Sequence, residues 1–159
     1  MAATEFHLVS TWMLPATQKE VWDVLVAPEH WPDWWPTVKR VELIDPGDEN
    51  GIGAVRRLTW STALPYDITF ETTTVKVEPM GLIEGRAKGE LDGIGRWTLT
   101  PTASGCLVRY DWIVTVTKPW MVRLAFLLRP VFAWNHDKVM ESGRQGLLTY
   151  LAKRRAAGG

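Results

Sequence analysis

The sequence holds one cysteine, Cys106, only three histidines, and no net charge: 18 Lys and Arg balance 18 Asp and Glu in 159 residues. A lone cysteine excludes an internal disulfide framework and a multi-cysteine zinc site. His7, His30 and His136 stand far apart and follow no HExxH-type spacing, so no metal is expected. Neutrality argues against a nucleic-acid partner. There is no GxGxxG, no P-loop and no GxSxG, so neither nucleotide-dependent nor serine-hydrolase chemistry has motif support, and no cofactor is expected. The most apolar stretch, Trp120 to Trp134, contains two arginines and a proline and is short for a membrane span. Met1 to Thr11 carries Glu5 and His7 and lacks the apolar core of a signal peptide. With the single cysteine, this leads us to expect a reducing, cytoplasmic setting.

What is present is tryptophan: ten, against three tyrosines and four phenylalanines. Each indole is a large apolar body with one N–H donor, suited to a bulky core or to the wall of a wide apolar cavity. A hydrophobic fraction of 46% and a charged fraction of 23% are ordinary for a folded chain. The length suits one domain over residues 1–159. Charge is unevenly spread: residues 118–155 carry eight basic residues against Asp137 and Glu141.

No internal repeat or linker interrupts the chain. Glu5 to Leu14 reads as a strand. Thr17 with Glu20 makes a capping box for a helix from Gln18 to Val26, whose apolar face is Val21, Trp22, Leu25 and Val26. Glu29 to Pro36 packs two prolines and three tryptophans into eight residues, which allows a single helical turn at most. Short strands with turn signals follow: Val38–Asp45, Gly53–Thr62, Tyr66–Glu78 after Leu64-Pro65, Leu82–Glu90, then an Asp92-Gly93 turn, Gly95–Thr100 and Cys106–Thr117. That succession predicts an antiparallel meander. In the last strand Val108, Tyr110, Trp112, Val114 and Val116 share one face, and Arg109, Asp111 and Thr115 the other. Ile68 and Phe70 have one parity while Val75 and Val77 have the opposite one, so a bulge is expected between them. In the Leu82 segment the charges of Glu84, Arg86 and Lys88 are set outward, leaving Gly85, Ala87 and Gly89 to face a helix or a ligand. Pro119 opens a final helical segment, which Pro130 kinks or restarts. From Val131 to Lys153 a stripe of Phe132, Asn135, Val139, Ser142, Gly143 and Gly146 runs beside His136, Met140, Leu147 and Tyr150.

The order of these elements, with Pro15-Ala16-Thr17, Val21-Trp22, Trp31-Pro32, Trp34-Trp35-Pro36, Gly95-Arg96-Trp97-Thr98-Leu99, Gly105 to Tyr110, Asn135-His136, Met140, Gly143, Gly146 and Leu147, resembles the START/birch-pollen-allergen-like (SRPBCC) superfamily. Within it the chain resembles the polyketide cyclase/dehydrase and lipid transport family. The resemblance implies an α+β helix-grip fold: an antiparallel sheet of six or seven strands wrapped around a long C-terminal helix, with two short helices after the first strand. It also implies an apolar cavity between sheet and helix.

Candidate site residues follow from where such a cavity would lie. His136 is the candidate general acid or base, because imidazole titrates near neutrality. Trp34, Trp35, Trp60, Trp97 and Trp112 are candidate lining residues able to stack on a flat ligand, as is Trp134. Phe70 and Tyr110 join them from the strands, and Asn135, Val139, Met140 and Gly143 from the helix. Arg57, like Arg56, Asp67 and Glu71, reaches the cavity if its strand is locally inverted; otherwise it pairs across the wet face. Cys106 reads as an inert small hydrophobe.

Three functions remain open on the sequence. The first is binding of a hydrophobic small molecule: a lipid, polyketide or aromatic metabolite. The second is a polyketide cyclase or dehydratase using the same cavity. The third is a membrane-associated helper acting through the basic, apolar C-terminal segment. The partner expected is a hydrophobic small-molecule ligand, with weak membrane-surface contact as the alternative, in a monomer or homodimer.

Overall fold

A computed structural model describes residues 5–63 and 65–158; Leu64, of the expected Leu64-Pro65 turn, and Met1 to Thr4 lie outside the described residues. Strand β1 (Glu5–Leu14) leads into α1 (Gln18–Leu25). The capping box closes in both directions, Glu20 N on Thr17 Oγ1 at 3.1 Å and Thr17 N on Glu20 Oε1 at 3.2 Å. A 3-10 turn over Pro28–Asp33 follows, then β2 (Val38–Asp45), β3 (Val55–Ser61), β4 (Asp67–Glu78), β5 (Leu82–Gly89), β6 (Leu91–Thr102) and β7 (Gly105–Val116). Two helices end the chain, α2 (Pro119–Arg123) and α3 (Ala125–Gly158).

The strands form one seven-stranded antiparallel sheet in the order β1-β7-β6-β5-β4-β3-β2. Each strand from β2 onward pairs with the next, and β1 closes on β7, so the alternation read from the sequence carries over every inward side chain. The expected bulge is present, but it falls at Val75 itself, between Thr74 and Lys76, so Val75 is exposed and only Val77 turns inward. Tryptophans and aliphatics of β1, β6 and β7 pack under α1 and the helical turn, while Phe6, Phe70, Trp112, Val114 and Met121 form a second core beneath α2.

Two local expectations are corrected. Asp92-Gly93 is not a turn; the chain reverses at Glu90, and Gly93 lies within β6. A Cβ at Gly93 would press to 2.7 Å from the Val114 Cα, so this glycine answers to close backbone approach by β7. Pro130 does not restart the helix. The break comes at Leu124, between α2 and α3, and Pro130 sits inside α3 on its exposed side.

The outer sheet face is wet and laced with ion pairs: Lys39 with Asp67, Arg96 with Glu84, and Asp111 with both Arg109 and His7. Asp111 is buried at 7% exposure, and its bonds from Arg109, then from His7, hold its carboxyl below the usual range. Arg155, near the end of α3, grips Glu20 at 3.0 and 3.1 Å. That contact ties the end of the long helix to the start of α1.

Candidate functional site

The site is built on the tryptophans after α1. Trp31, Trp34 and Trp35 are all buried, Trp35 completely. The Trp34 and Trp35 rings stack with centroids 5.3 Å apart, and Trp35 meets Trp12, Trp60 and Trp97 edge-on. Helix α3 seats directly on this cluster. The Trp35 Nε1–H donates to the Val139 carbonyl at 2.9 Å. The two glycines of the helical stripe make the approach possible: a Cβ at Gly143 would meet the Trp35 ring, and one at Gly146 the Trp34 carbonyl.

Between α3 and the sheet lies an apolar cavity of about 140 Å³. Phe6, Leu8, Ile68, Leu91, Val114 and Val116 line its floor, Met121 and Phe132 its end under α2, and Asn135, His136, Val139 and Met140 its helical side. Trp31, Trp60, Phe70, Trp97, Tyr110 and Trp112 form the remaining wall. Among the described residues no Lys, Arg, Asp or Glu lines it. Its polar groups are neutral: the Ser61, Thr62, Tyr66 and Tyr110 hydroxyls, the Asn135 amide, the indoles and one imidazole. Asn135 Oδ1 is engaged by the Ala63 N–H at 2.6 Å.

His136 is the chemically exposed feature of this cavity. Its side chain is 10% exposed, and neither ring nitrogen has a hydrogen-bond partner among the described residues. The Asp137 carboxylate stands 4.0 Å from Nδ1, too far for a hydrogen bond. Burial pushes the imidazole down to about 4, with Asp137 pulling weakly the other way, so the ring is neutral at physiological pH. Its plane lies within 11° of the Tyr110 ring at 6.4 Å. Burial likewise pushes the Tyr110 phenol well up. The Trp31 and Trp60 Nε1–H groups are also buried without a partner. The wall thus offers unused donors and one unused nitrogen acceptor.

The same aromatic wall has a second side. Beyond Trp31, Trp60, Phe70, Trp97, Tyr110 and Trp112 lies another cavity, of about 370 Å³, closed by Trp22, Leu25, Val26 and Pro28. Its floor is Leu58, Thr72, Thr74, Val77, Ile83, Gly85 and Gly95. Among the described residues one charged side chain lines it: Arg56, whose Nε donates to Glu29 Oε1 at 2.6 Å. This pair fastens the helical turn to β3.

Ten of the residues singled out from the sequence come together at the first cavity: Trp35 from the segment after the helical turn, Trp60, Phe70, Trp97, Tyr110 and Trp112 from the sheet, and Asn135, His136, Val139 and Met140 from α3. The others do not line it. Arg57 points to the outer face, where it pairs with Glu71 at 2.8 Å and with Glu42 at 3.5 Å, because β3 is not inverted there. Trp34 is buried behind Trp35, Gly143 lies under the Trp35 ring, and Trp134 is 49% exposed on the outer side of α3. Asp67 and Glu71 are also held outward by Lys39 and Arg57. Trp31, Ser61, Thr62, Tyr66 and the aliphatic floor line the first cavity without having been candidates, and Arg56 lines the second. For Arg56 the signal was available, since it shares its strand parity with Leu58 and Trp60. Cys106 is fully buried, and burial pushes its thiol up, away from reactivity.

The family model described as polyketide cyclase/dehydrase and lipid transport matches residues 5–154. No curated protein sequence matches the chain. Among solved structures, the chain is similar to the Zhui aromatase/cyclase from Streptomyces sp. R1128, with a TM-score of 0.75 and 19% identity over 98% of this chain and 99% of that one. It is similar to the di-domain ARO/CYC StfQ from the steffimycin biosynthetic pathway, with a TM-score of 0.70 and 18% identity, covering 98% of this chain but 53% of that one, so it spans about half that protein's length. A norcoclaurine synthase point mutant from Thalictrum flavum, in complex with a transition state analogue, superposes with a TM-score of 0.65 and 16% identity over 93% of this chain and 96% of that one. At these identities the likeness shows the helix-grip fold.

Proposed function

The chain belongs to the polyketide cyclase/dehydrase and lipid transport family, and from that premise we propose that it binds a flat, neutral, oxygen-bearing apolar molecule of the polyketide or aromatic-metabolite class between sheet and α3. The observation that carries this reading is the composition of the first cavity's wall. It is aromatic and uncharged, yet it holds a neutral imidazole and two indole N–H groups without partners. A buried polar group without a partner costs about 1–3 kcal/mol, which a ligand oxygen would relieve. A carboxylate would find no cation there, so a fatty acid fits less well than a phenol or ketone. Burying about 200 Å² of apolar ligand surface contributes about 5 kcal/mol before the costs of association. The reading carries with it a cytoplasmic setting, supported by the lone buried Cys106.

The test is native mass spectrometry of the purified protein with organic extraction of anything bound. It is followed by tryptophan-quenching titrations with a hydroxylated tricyclic aromatic and with palmitate. Tighter binding of the aromatic is expected. Equal or tighter binding of palmitate, or no binding of either, would overturn the proposal.

A cyclase or dehydratase reading draws support from the aromatase/cyclase neighbours and from the imidazole in the cavity. A base whose conjugate acid ionises near 4 is weak at neutral pH, which favours binding over proton abstraction. His136→Gln separates the two. It abolishes turnover of a cyclisable substrate while sparing affinity if His136 is catalytic.

A further inference from the structure

The first three turns of α3 are apolar on both sides. Inward, Ala125 and Phe132 pack against the sheet core and the first cavity. Outward, Phe126 is 68% exposed, Leu127 60% and Trp134 49%, with Pro130 also exposed between them. Phe126, Pro130 and Trp134 recur every fourth residue, so they share one stripe. One turn earlier Trp120 on α2 is 50% exposed. Beyond Trp134 the same stripe turns polar, with Asp137, Lys138 and Glu141. A helix apolar all round is the pattern of a helix buried in its surroundings, and here none of the described residues covers one side.

Charge says what kind of cover fits. Between residues 118 and 138 the chain carries Lys118, Arg123, Arg129 and Lys138 against Asp137 alone. Lys118 is paired with Glu90, and Arg129 lies over the Phe6 ring and donates to the Glu5 carbonyl. Arg123 and Lys138 have no ion-pair partner among the described residues. A second copy of the chain placed on this surface would set these cations against their own kind. An anionic lipid surface would neutralise them while taking up Phe126, Leu127 and Trp120.

We propose that α2 and the start of α3 form a docking surface for an anionic bilayer, with Phe126, Leu127 and Trp120 entering the interface and Arg123 and Lys138 facing the headgroups. No helix of the described residues is long and apolar enough to cross a membrane, so the contact is peripheral and reversible. Met121 and Phe132, on the inner sides of these helices, line the end of the first cavity. The docked face therefore covers that end of the cavity, although docking itself requires no cargo.

Co-sedimentation with vesicles tests this. The full chain is expected to pellet with phosphatidylcholine vesicles containing about one third phosphatidylglycerol at low salt, and weakly with phosphatidylcholine alone. The double change Phe126→Ser with Leu127→Ser should weaken binding about tenfold or more. Arg123→Glu with Lys138→Glu should weaken it on anionic vesicles only. Leu43→Ser with Ile44→Ser, also exposed on β2 at 48% each, should leave binding unchanged. All three double variants alter exposed side chains, and unchanged thermal midpoints verify their folding. Absence of pelleting at low salt overturns the proposal, as does an equal loss in the β2 control. So does a wild-type dimer in sedimentation velocity that the Phe126/Leu127 variant dissolves while vesicle binding persists, since the surface then belongs to a second copy.

Discussion

Trp35 occupies the space that a side chain at Gly143 would fill: a Cβ built there comes within 2.8 Å of the indole nitrogen. One turn earlier, the Val139 carbonyl accepts the hydrogen bond of that same nitrogen. The ring is fully buried and touches Trp12, Trp31, Trp60 and Trp97, so it has nowhere to move. Gly143→Ala gains about 1 kcal/mol of helix propensity. It nonetheless destabilises by about 1–3 kcal/mol, because overpacking against a rigid ring outweighs propensity. Urea melts of the two proteins decide the sign.

The acid limb of stability has two windows. In the folded chain His136 titrates near 4, below its ordinary value of 6.5, so between these values the unfolded chain binds more protons than the folded one. Stability contributed by the neutral ring is complete above 6.5 and falls as pH drops toward 4, by about 3 kcal/mol in all. Glu20, Glu141, Glu90 and Asp111 have lowered values, so their contributions disappear only as the pH falls below the ordinary carboxylate range. His136→Leu should flatten the upper window alone and leave stability at neutral pH equal or higher. Chemical melts at intervals from pH 7 to pH 4 measure it, and an unchanged slope would rule out the buried neutral imidazole.

Arg56 and Arg57 are neighbours with opposite surroundings. Arg56→Met severs the link between the helical turn and β3, which costs about 1 kcal/mol. It also loosens the wall of the larger cavity. Arg57→Met removes solvent-facing pairs with Glu42 and Glu71 and should leave the thermal midpoint unchanged. Parallel calorimetry of both proteins distinguishes them.

Gly85 faces the larger cavity, and a Cβ there meets Thr73 O at 3.5 Å, an ordinary contact. Gly85→Val is therefore expected to fold as well as the parent, with a strand-favouring residue in place of glycine. It narrows the larger cavity and leaves the smaller one intact. A ligand seated against His136 keeps its affinity in this variant; one seated near Arg56 loses it. Quenching titrations read the difference.

Thr17→Ala removes the side chain that accepts from Glu20 N and should cost about 1 kcal/mol. Glu20 also holds Arg155, so the variant should raise amide exchange at the end of α3 as well as in α1. Exchange raised in α1 alone would mean that the two ends are not coupled.

The meander and its register were legible because the signals were local. Thr17 and Glu20 announce α1, and the alternation from Cys106 to Val116 fixes which face of β7 is apolar. The parity switch after Phe70 forecasts the bulge between Thr74 and Lys76. Asp92-Gly93 misled because an Asp-Gly pair is a strong hairpin signal. Gly93 is instead required by the nearness of β7, a contact between strands whose spacing no single segment shows. Most of the cavity wall was legible for the same reason that the strands were. Its division in two was not. It depends on Trp60, Trp97, Tyr110 and Trp112 meeting across three strands, and on Trp31 arriving from the helical turn. Strand parity separates Arg56, which faces inward with Leu58 and Trp60, from Arg57, which faces outward to Glu42 and Glu71.

The tryptophan cluster has an optical consequence. Ring centroids between 4.9 and 6.4 Å apart place Trp12, Trp31, Trp34, Trp35, Trp60 and Trp97 within easy range of excitation transfer. Light absorbed by any of them migrates among all, so emission arises from the group and not from one ring. A single acceptor chromophore lodged beside Trp60 would therefore darken the whole set, and fluorescence anisotropy would stay low even in a rigid, slowly tumbling molecule.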